Sequence, residues 1–254
     1  MLAPAGWRAI DFLSDLHLSA QTPRTFEALA RHLADTPADA VFILGDLFEA
    51  WVGDDARHAG FEADCTAMLR EAAARRPIAF MHGNRDFLIG ADFLQSCGLR
   101  PLADPTLLRA FGQRLLLTHG DLLCTGDVDY QRYRSQVRTP QWQAAFLARP
   151  SNERRIAVAQ MREQSRQHQA QQAAAAQDFF DVDAGSAAAW LRAAGASILL
   201  HGHTHRPATH AIAPGLVRHV LSDWDFDASG VARGDVLRWR ADGLSRVAPS
   251  HAAA

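Results

Sequence analysis

Short apolar runs alternate with polar clusters along this chain, and each cluster sits directly behind its run. The runs at residues 9–13, 40–44, 78–81, 115–118 and 197–200 have strand length and strand composition. The clusters behind them read Asp15-Leu16-His17, Gly45-Asp46, Gly83-Asn84-Arg85-Asp86, His119-Gly120-Asp121 and Gly202-His203-Thr204-His205. Helical patterns follow the first two runs: residues 25–33 set Phe26, Leu29, Ala30 and Leu33 on one face, and 61–75 continue likewise. Strands alternating with helices predict βαβ units around a mainly parallel sheet. Ligands bind such sheets at the carboxyl ends of the strands, so the five clusters are expected to converge.

The second half completes the expected architecture. Residues 107–111 and 114–117, turning at Gly112-Gln113, read as a hairpin that joins the first sheet. Residues 216–221, 235–240 and 244–248 read as short strands, the last two linked by Asp242-Gly243. They predict a second sheet packed on the first, an α/β fold of αββα sandwich type in a single domain over 1–254. Residues 128–180 differ, lacking strand runs and rich in Gln and Ala. Trp142/Phe146 and Ile156/Gln160 stand at helical spacing, and the Gln-rich stretch 169–177 consists of good helix formers. This predicts a helical cap inserted at about 128–180, lying over the crevice.

Composition excludes several classes. The chain has 254 residues, 48% apolar, enough for a full core. A net charge of −2 gives no bias toward nucleic acid. Cys65, Cys97 and Cys124 lack paired spacing, which argues against a disulfide framework and for a reducing compartment. With no signal-peptide pattern and no apolar run of 18 residues, the expected location is cytoplasmic.

The clusters supply carboxylates, imidazoles and one amide, which suit divalent Mn, Fe, Co or Zn, while the lack of thiolates argues against structural zinc. Asp15 and His17 are two apart at a strand end, as are His203 and His205, so each pair is expected to point one way. Taken alone, Asp46 could be a turn residue and Asn84 a helix C-cap; five such clusters in order point to one site. Asp15, His17, Asp46, Asn84, His119, His203 and His205 exceed the needs of one ion and imply two, clamping a phosphorus centre from roughly 3.5–4 Å apart. Asp46, from mid-sheet, is the expected bridge.

In this order, Asp-x-His, Gly-Asp, Gly-Asn-x-Asp, His-Gly and Gly-His-x-His resemble the calcineurin-like metallophosphoesterases. The longer stretches Gly45–Asp55, His82–Leu88, His119–Thr125 and His201–Pro207 resemble the UDP-2,3-diacylglucosamine hydrolase family of lipid A biosynthesis, over roughly residues 9–222. The resemblance implies one ion on Asp15, His17, Asp46 and His205, another on Asp46, Asn84, His119 and His203, and Mn2+ for both. It implies substrate contacts by Asn84, Arg85, Asp127, Ser165 and His203, and a catalytic set of Asp46, Asn84, Arg85, His119 and His203. His201 has no role in the family pattern, and His210 and His219 read as sheet or surface histidines. Where the family carries lysines after the Ser165 position, this chain has Gln167-His168-Gln169-Ala170-Gln171-Gln172, leaving the diphosphate contacts of that helix to nearby arginines.

The implied reaction is hydrolysis of UDP-2,3-diacylglucosamine at the α-phosphorus, giving UMP and 2,3-diacylglucosamine 1-phosphate. The wider superfamily has a histidine where Arg85 stands. Arginine cannot donate a proton at neutral pH, but a phosphate leaving group with a second pKa of about 6 needs none. Between residues 131 and 170 eight arginines face two glutamates, a local +6 (8 − 2), beside Trp142, Phe146, Leu147, Ile156, Val158 and Met161. This predicts an acyl-chain groove and peripheral contact with the inner membrane. Since no expected metal ligand lies in the cap, metal binding is expected to be independent of it. The alternatives are a phosphoesterase for another nucleotide or phosphodiester, and a non-catalytic scaffold of the same fold.

Overall fold

The computed structural model describes residues 1–174 and 181–250. The expected helix at 169–177 therefore passes partly outside the described residues. Chain order begins β1 (Ile10–Leu13), α1 (Pro23–Asp35), β2 (Ala40–Leu44), α2 (Gly60–Arg75), β3 (Ile78–Met81), α3 (Ala91–Cys97) and β4 (Arg100–Leu102). It continues through β5 (Thr106–Ala110), β6 (Gln113–Leu117), α4 (Val128–Val137), α5 (Pro140–Leu147) and α6 (Ser151–Ala174). It closes with α7 (Ala184–Ala194), β7 (Ile198–His201), β8 (Ala208–Ala213), β9 (Leu216–Val220), β10 (Val236–Arg240) and β11 (Gly243–Val247).

One sheet runs β11-β10-β1-β2-β3-β4 and the other β5-β6-β7-β9-β8. β1, β2 and β3 pair in parallel and are buried at every position, hence their continuous apolar runs. Alternate side chains face opposite layers. Leu13, Val41, Ile43 and Phe80 pack with Leu29, Leu69 and Phe93 of α1, α2 and α3. Ile10, Phe12, Phe42 and Leu44 instead meet Leu108, Leu115, Leu117 and Leu200 of the second sheet. On its far face Leu116 and Leu199 pack on Ala187 and Leu191 of α7. The layers are therefore α, β, β, α.

Two expectations about sheet membership are corrected. The β5–β6 hairpin starts the second sheet rather than joining the first, because β6 pairs in parallel with β7. β10 and β11 belong to the first sheet, where β10 runs antiparallel to β1 with Asp11 opposite Arg238. That pair gives the reason. Arg238 Nε and Nη2 donate to the wholly buried Asp11 carboxylate at 2.6 and 2.8 Å, so neither charge could face the apolar space between the sheets. Burial opposes ionisation of Asp11, but hydrogen bonds from Arg238, His32 and Thr36 outweigh it and hold its pKa at about 2. The loop between β10 and β11 is Ala241-Asp242, one residue earlier than expected, since Arg240 pairs with Gly243.

Candidate active site

Beyond β1 and β2 the two loops run side by side. The Asp15 N–H donates to the Gly45 carbonyl (3.1 Å), and those of Leu16 and His17 donate to the Asp46 carbonyl (2.9 and 3.0 Å). Leu18 N–H donates to Leu47 (2.9 Å), and Glu49 N–H donates back to Leu18 (3.1 Å). Asp15, His17, Asp46, His203 and His205 all have left-handed backbone, φ from 48° to 68°. Among the described residues the one other non-glycine there is Phe111, in the β5–β6 turn. Such conformations cost free energy and concentrate at functional sites. The pairs do converge, but they lie past the strand ends, so left-handed turns rather than strand alternation aim them.

Close packing explains two glycines. A Cβ on Gly45, itself at φ 91°, would stand 2.5 Å from His119 Nδ1 and 2.7 Å from Gly83 Cα. One on Gly83 would collide with Asp46 Oδ1. The clusters could not approach one another with any larger residue at either position.

The side chains form two overlapping groups, Asp15/His17/His205 and Asp15/Asp46/His119, whose donor atoms lie within 4.8 Å of one another. His17 Nε2 is 3.1 Å from His205 Nε2, and Asp15 Oδ1 is 3.4 Å from His205 Nε2. Asp46 presents one oxygen to each side, Oδ2 at 3.9 Å from His17 Nε2 and Oδ1 at 3.7 Å from His119 Nε2. Asn84 Oδ1 is 2.9 Å from both His119 Nε2 and His203 Nδ1. His119 Nδ1–H donates to the Leu44 carbonyl at 2.9 Å, since a carbonyl only accepts, which leaves Nε2 as the inward nitrogen.

Asp15, Asp46 and Asp86 are all buried here, an arrangement of like charges that low dielectric penalises unless a cation balances it. Burial and the neighbouring Asp46 push the Asp86 carboxyl up to about 7. Burial of His119 is outweighed by Asp46, Asp121 and Asp15, which raise it to about 9. Carboxylate and imidazole donors around excess negative charge fit divalent ions of borderline hardness. His201 ends β7 with Nδ1–H donated to the Gly202 carbonyl (2.8 Å), and burial lowers it to about 4. It joins neither donor group, nor do His210 on β8 and His219 on β9.

A cavity of about 330 Å³ opens from this cluster beneath α4, α5 and α6. Asn84, Arg85, Asp127, Ser165 and His203, the five expected substrate contacts, all line it. Trp142 and Phe146 of α5, Val158 and Met161 of α6, and Phe87 make its wall apolar. Asp127 is also the N-cap of α4, accepting from Tyr130 N–H at 3.0 Å. Arg85 Nε is 3.9 Å from Asp46 Oδ2, and its backbone N–H donates to Asp46 Oδ1 at 2.9 Å.

The cap arginines are mostly engaged with the body. Arg134 and Arg138 face Asp121, Arg154 faces Asp55, Arg155 faces Glu62, Arg162 faces Glu49 and Arg132 faces Asp129. Six of the eight thus meet carboxylates outside residues 131–170, and the local +6 is largely balanced in three dimensions. Among the described residues no helix is long and apolar enough to cross a membrane.

The calcineurin-like phosphoesterase family model matches residues 9–207, from the start of β1 to just past His205. The chain belongs to that family. Within it, a UDP-2,3-diacylglucosamine hydrolase of Chromobacterium violaceum is 46% identical over 228 residues, covering 87% of this chain and 93% of the relative. Another, from Stenotrophomonas maltophilia, is 41% identical over 244 residues, covering 92% and 98%. The solved structure of vacuolar protein sorting 29 from Cryptosporidium parvum superposes with a TM-score of 0.46 at 14% identity, covering 95% of this chain and 96% of that one. Calcineurin-like phosphoesterases are metal-dependent hydrolases, and the αββα layers and the buried donor cluster are this chain's form of that fold.

Proposed function

We propose that this protein hydrolyses UDP-2,3-diacylglucosamine at the α-phosphorus, giving UMP and 2,3-diacylglucosamine 1-phosphate for lipid A biosynthesis. The observation that carries the reading is the sharing of Asn84, Arg85 and His203 between the donor cluster and an aromatic-walled cavity. A diphosphate at the cluster would then leave its acyl chains in the cavity. The relatives named above carry that substrate in their names.

Asp15, His17, Asp46 and His205 would hold one Mn2+, and Asp46, Asn84, His119 and His203 a second. When bound, the ions supply Lewis-acid charge at the phosphorus and lower the pKa of the attacking water. The chain's own residues do the rest. Asn84 and His203 orient the diphosphate, and the Arg85 guanidinium pairs with its oxygens as charge develops. No side chain has to protonate the departing sugar phosphate, whose second pKa is about 6. Asp127 and Ser165, which also line the cavity, would contact the substrate. The cap helices supply much of the wall that would shield bound substrate from water.

Peripheral contact with the cytoplasmic face of the inner membrane would rest on apolar surface rather than on charge. Val128 (61% exposed), Ile156 (58%) and Leu147 stand out from the cap, while Arg134, Arg138, Arg154, Arg155 and Arg162 meet carboxylates of the body. Purified protein with Mn2+ should release UMP from UDP-2,3-diacylglucosamine and act far more slowly on soluble nucleotides and cyclic nucleotides. Faster turnover of a soluble nucleotide would favour the alternative phosphoesterase reading.

A further inference from the structure

We propose that Glu49 is a positioning residue that sets the imidazole of His17 for its ion and, through Arg162, ties that half of the metal centre to the cap. The proposal rests on the two-metal reading above. Glu49 Oε2 lies 3.3 Å from His17 Nδ1, the end of the ring away from the donor cluster. That nitrogen has no hydrogen-bond partner among the described residues, so Glu49 acts on it through its charge. The other end, Nε2, faces His205 and Asp46. A carboxylate behind Nδ1 favours the tautomer with its proton there and leaves the Nε2 lone pair free for an ion.

The backbone makes this arrangement specific. Phe48 pairs in parallel with Leu18, and Glu49, the next residue, donates its N–H to the Leu18 carbonyl, so carboxylate and imidazole flank one short ladder. Glu49 Oε1 meanwhile accepts from Arg162 Nη2 on α6. Arg162 Nε and Nη1 are buried without a hydrogen-bond partner among the described residues, and the residue lines the cavity. One guanidinium thus touches both the carboxylate behind His17 and the space offered to substrate. The cap, although it holds none of the expected ligands, reaches the metal centre through this contact.

Mn2+ titration of the chelated, metal-free protein by calorimetry tests the proposal. The wild type should bind in two steps. Glu49→Gln should weaken one step roughly tenfold to a hundredfold, the range for partners of metal-ligating histidines, and leave the other within twofold. Arg162→Met should weaken the same step by a smaller factor, with thermal unfolding of the metal-free protein unchanged. If Glu49→Gln does not fold, Glu49→Asp, which withdraws the charge by one methylene, should weaken that step several-fold. Both steps unchanged in a folded Glu49 variant, or both weakened alike, would overturn the positioning role. A wild type that binds no Mn2+ would instead sink the two-metal reading on which it rests.

Discussion

At the residue scale the site is set by backbone as much as by side chains. Five of the seven expected ligands occupy left-handed backbone, and Asp46 stands between the two groups with an oxygen toward each. Asp46→Ala should therefore be the most damaging single ligand change. We expect a loss of at least about a thousandfold in kcat, roughly 4 kcal/mol, together with a fall in bound metal measured by plasma mass spectrometry. Metal content at the wild-type level would deny Asp46 its bridging place. Arg85→Lys keeps the charge but loses the planar fork. It should lower kcat about tenfold or more while moving KM little, and equal kcat in steady-state assays would remove Arg85 from the transition state. The residues that gather in the cluster were legible as candidates because Asp, His and Asn recur behind strands in this sequence. The left-handed turns were not, since φ leaves no mark beyond the neighbouring glycines. Glu49 and Arg162 were equally silent as partners, because 113 residues of sequence separate them and only the folded chain brings them together.

At the scale of elements, β1, β2, β3, α1 and α2 were legible because each carries its own period and burial. Assignment of strands to sheets was not, because it turns on single long-range pairs such as Asp11 with Arg238. Asp11→Asn leaves a buried guanidinium without its counter-charge and should destabilise the fold by about 3–5 kcal/mol, measured by urea unfolding. A change under about 1 kcal/mol would show that the pair does not hold β10 against β1. The cap was legible as helical, yet its independence from the metal centre was not a safe expectation. Arg138 donates to the Gly83 carbonyl at 2.7 Å, Arg162 meets Glu49, and Tyr130 and Arg134 hold Asp121, two residues from His119. Replacing residues 135–175 with a Gly/Ser linker should thus lower metal affinity as well as abolish lipid turnover. Full metal content with intact cleavage of a small chromogenic diester would return the cap to a purely lipid-holding part.

For the whole molecule, part of the acid sensitivity follows from Asp11, which is wholly buried and titrates at about 2 when folded, alongside Asp181 and other carboxylates held low. A depressed carboxylate contributes stability above its unfolded pKa of about 3.9 and loses it as pH falls through the folded value. The contribution is about 2 kcal/mol. Thermal unfolding of the metal-free protein should lose midpoint progressively between about pH 4 and pH 2 as this term disappears. Asp11→Asn should flatten that segment, and an unchanged slope would deny the linkage. The same molecule joins a carboxylate–imidazole cluster to an apolar cavity across a shared floor, and the account of its function stands on that junction. Hydrolysis of UDP-2,3-diacylglucosamine in oxygen-18 water, read by mass spectrometry of both products, tests it most directly. The label is expected in UMP, with turnover abolished by chelation and restored by Mn2+. Label in the diacylglucosamine 1-phosphate, or turnover indifferent to chelation, would contradict it.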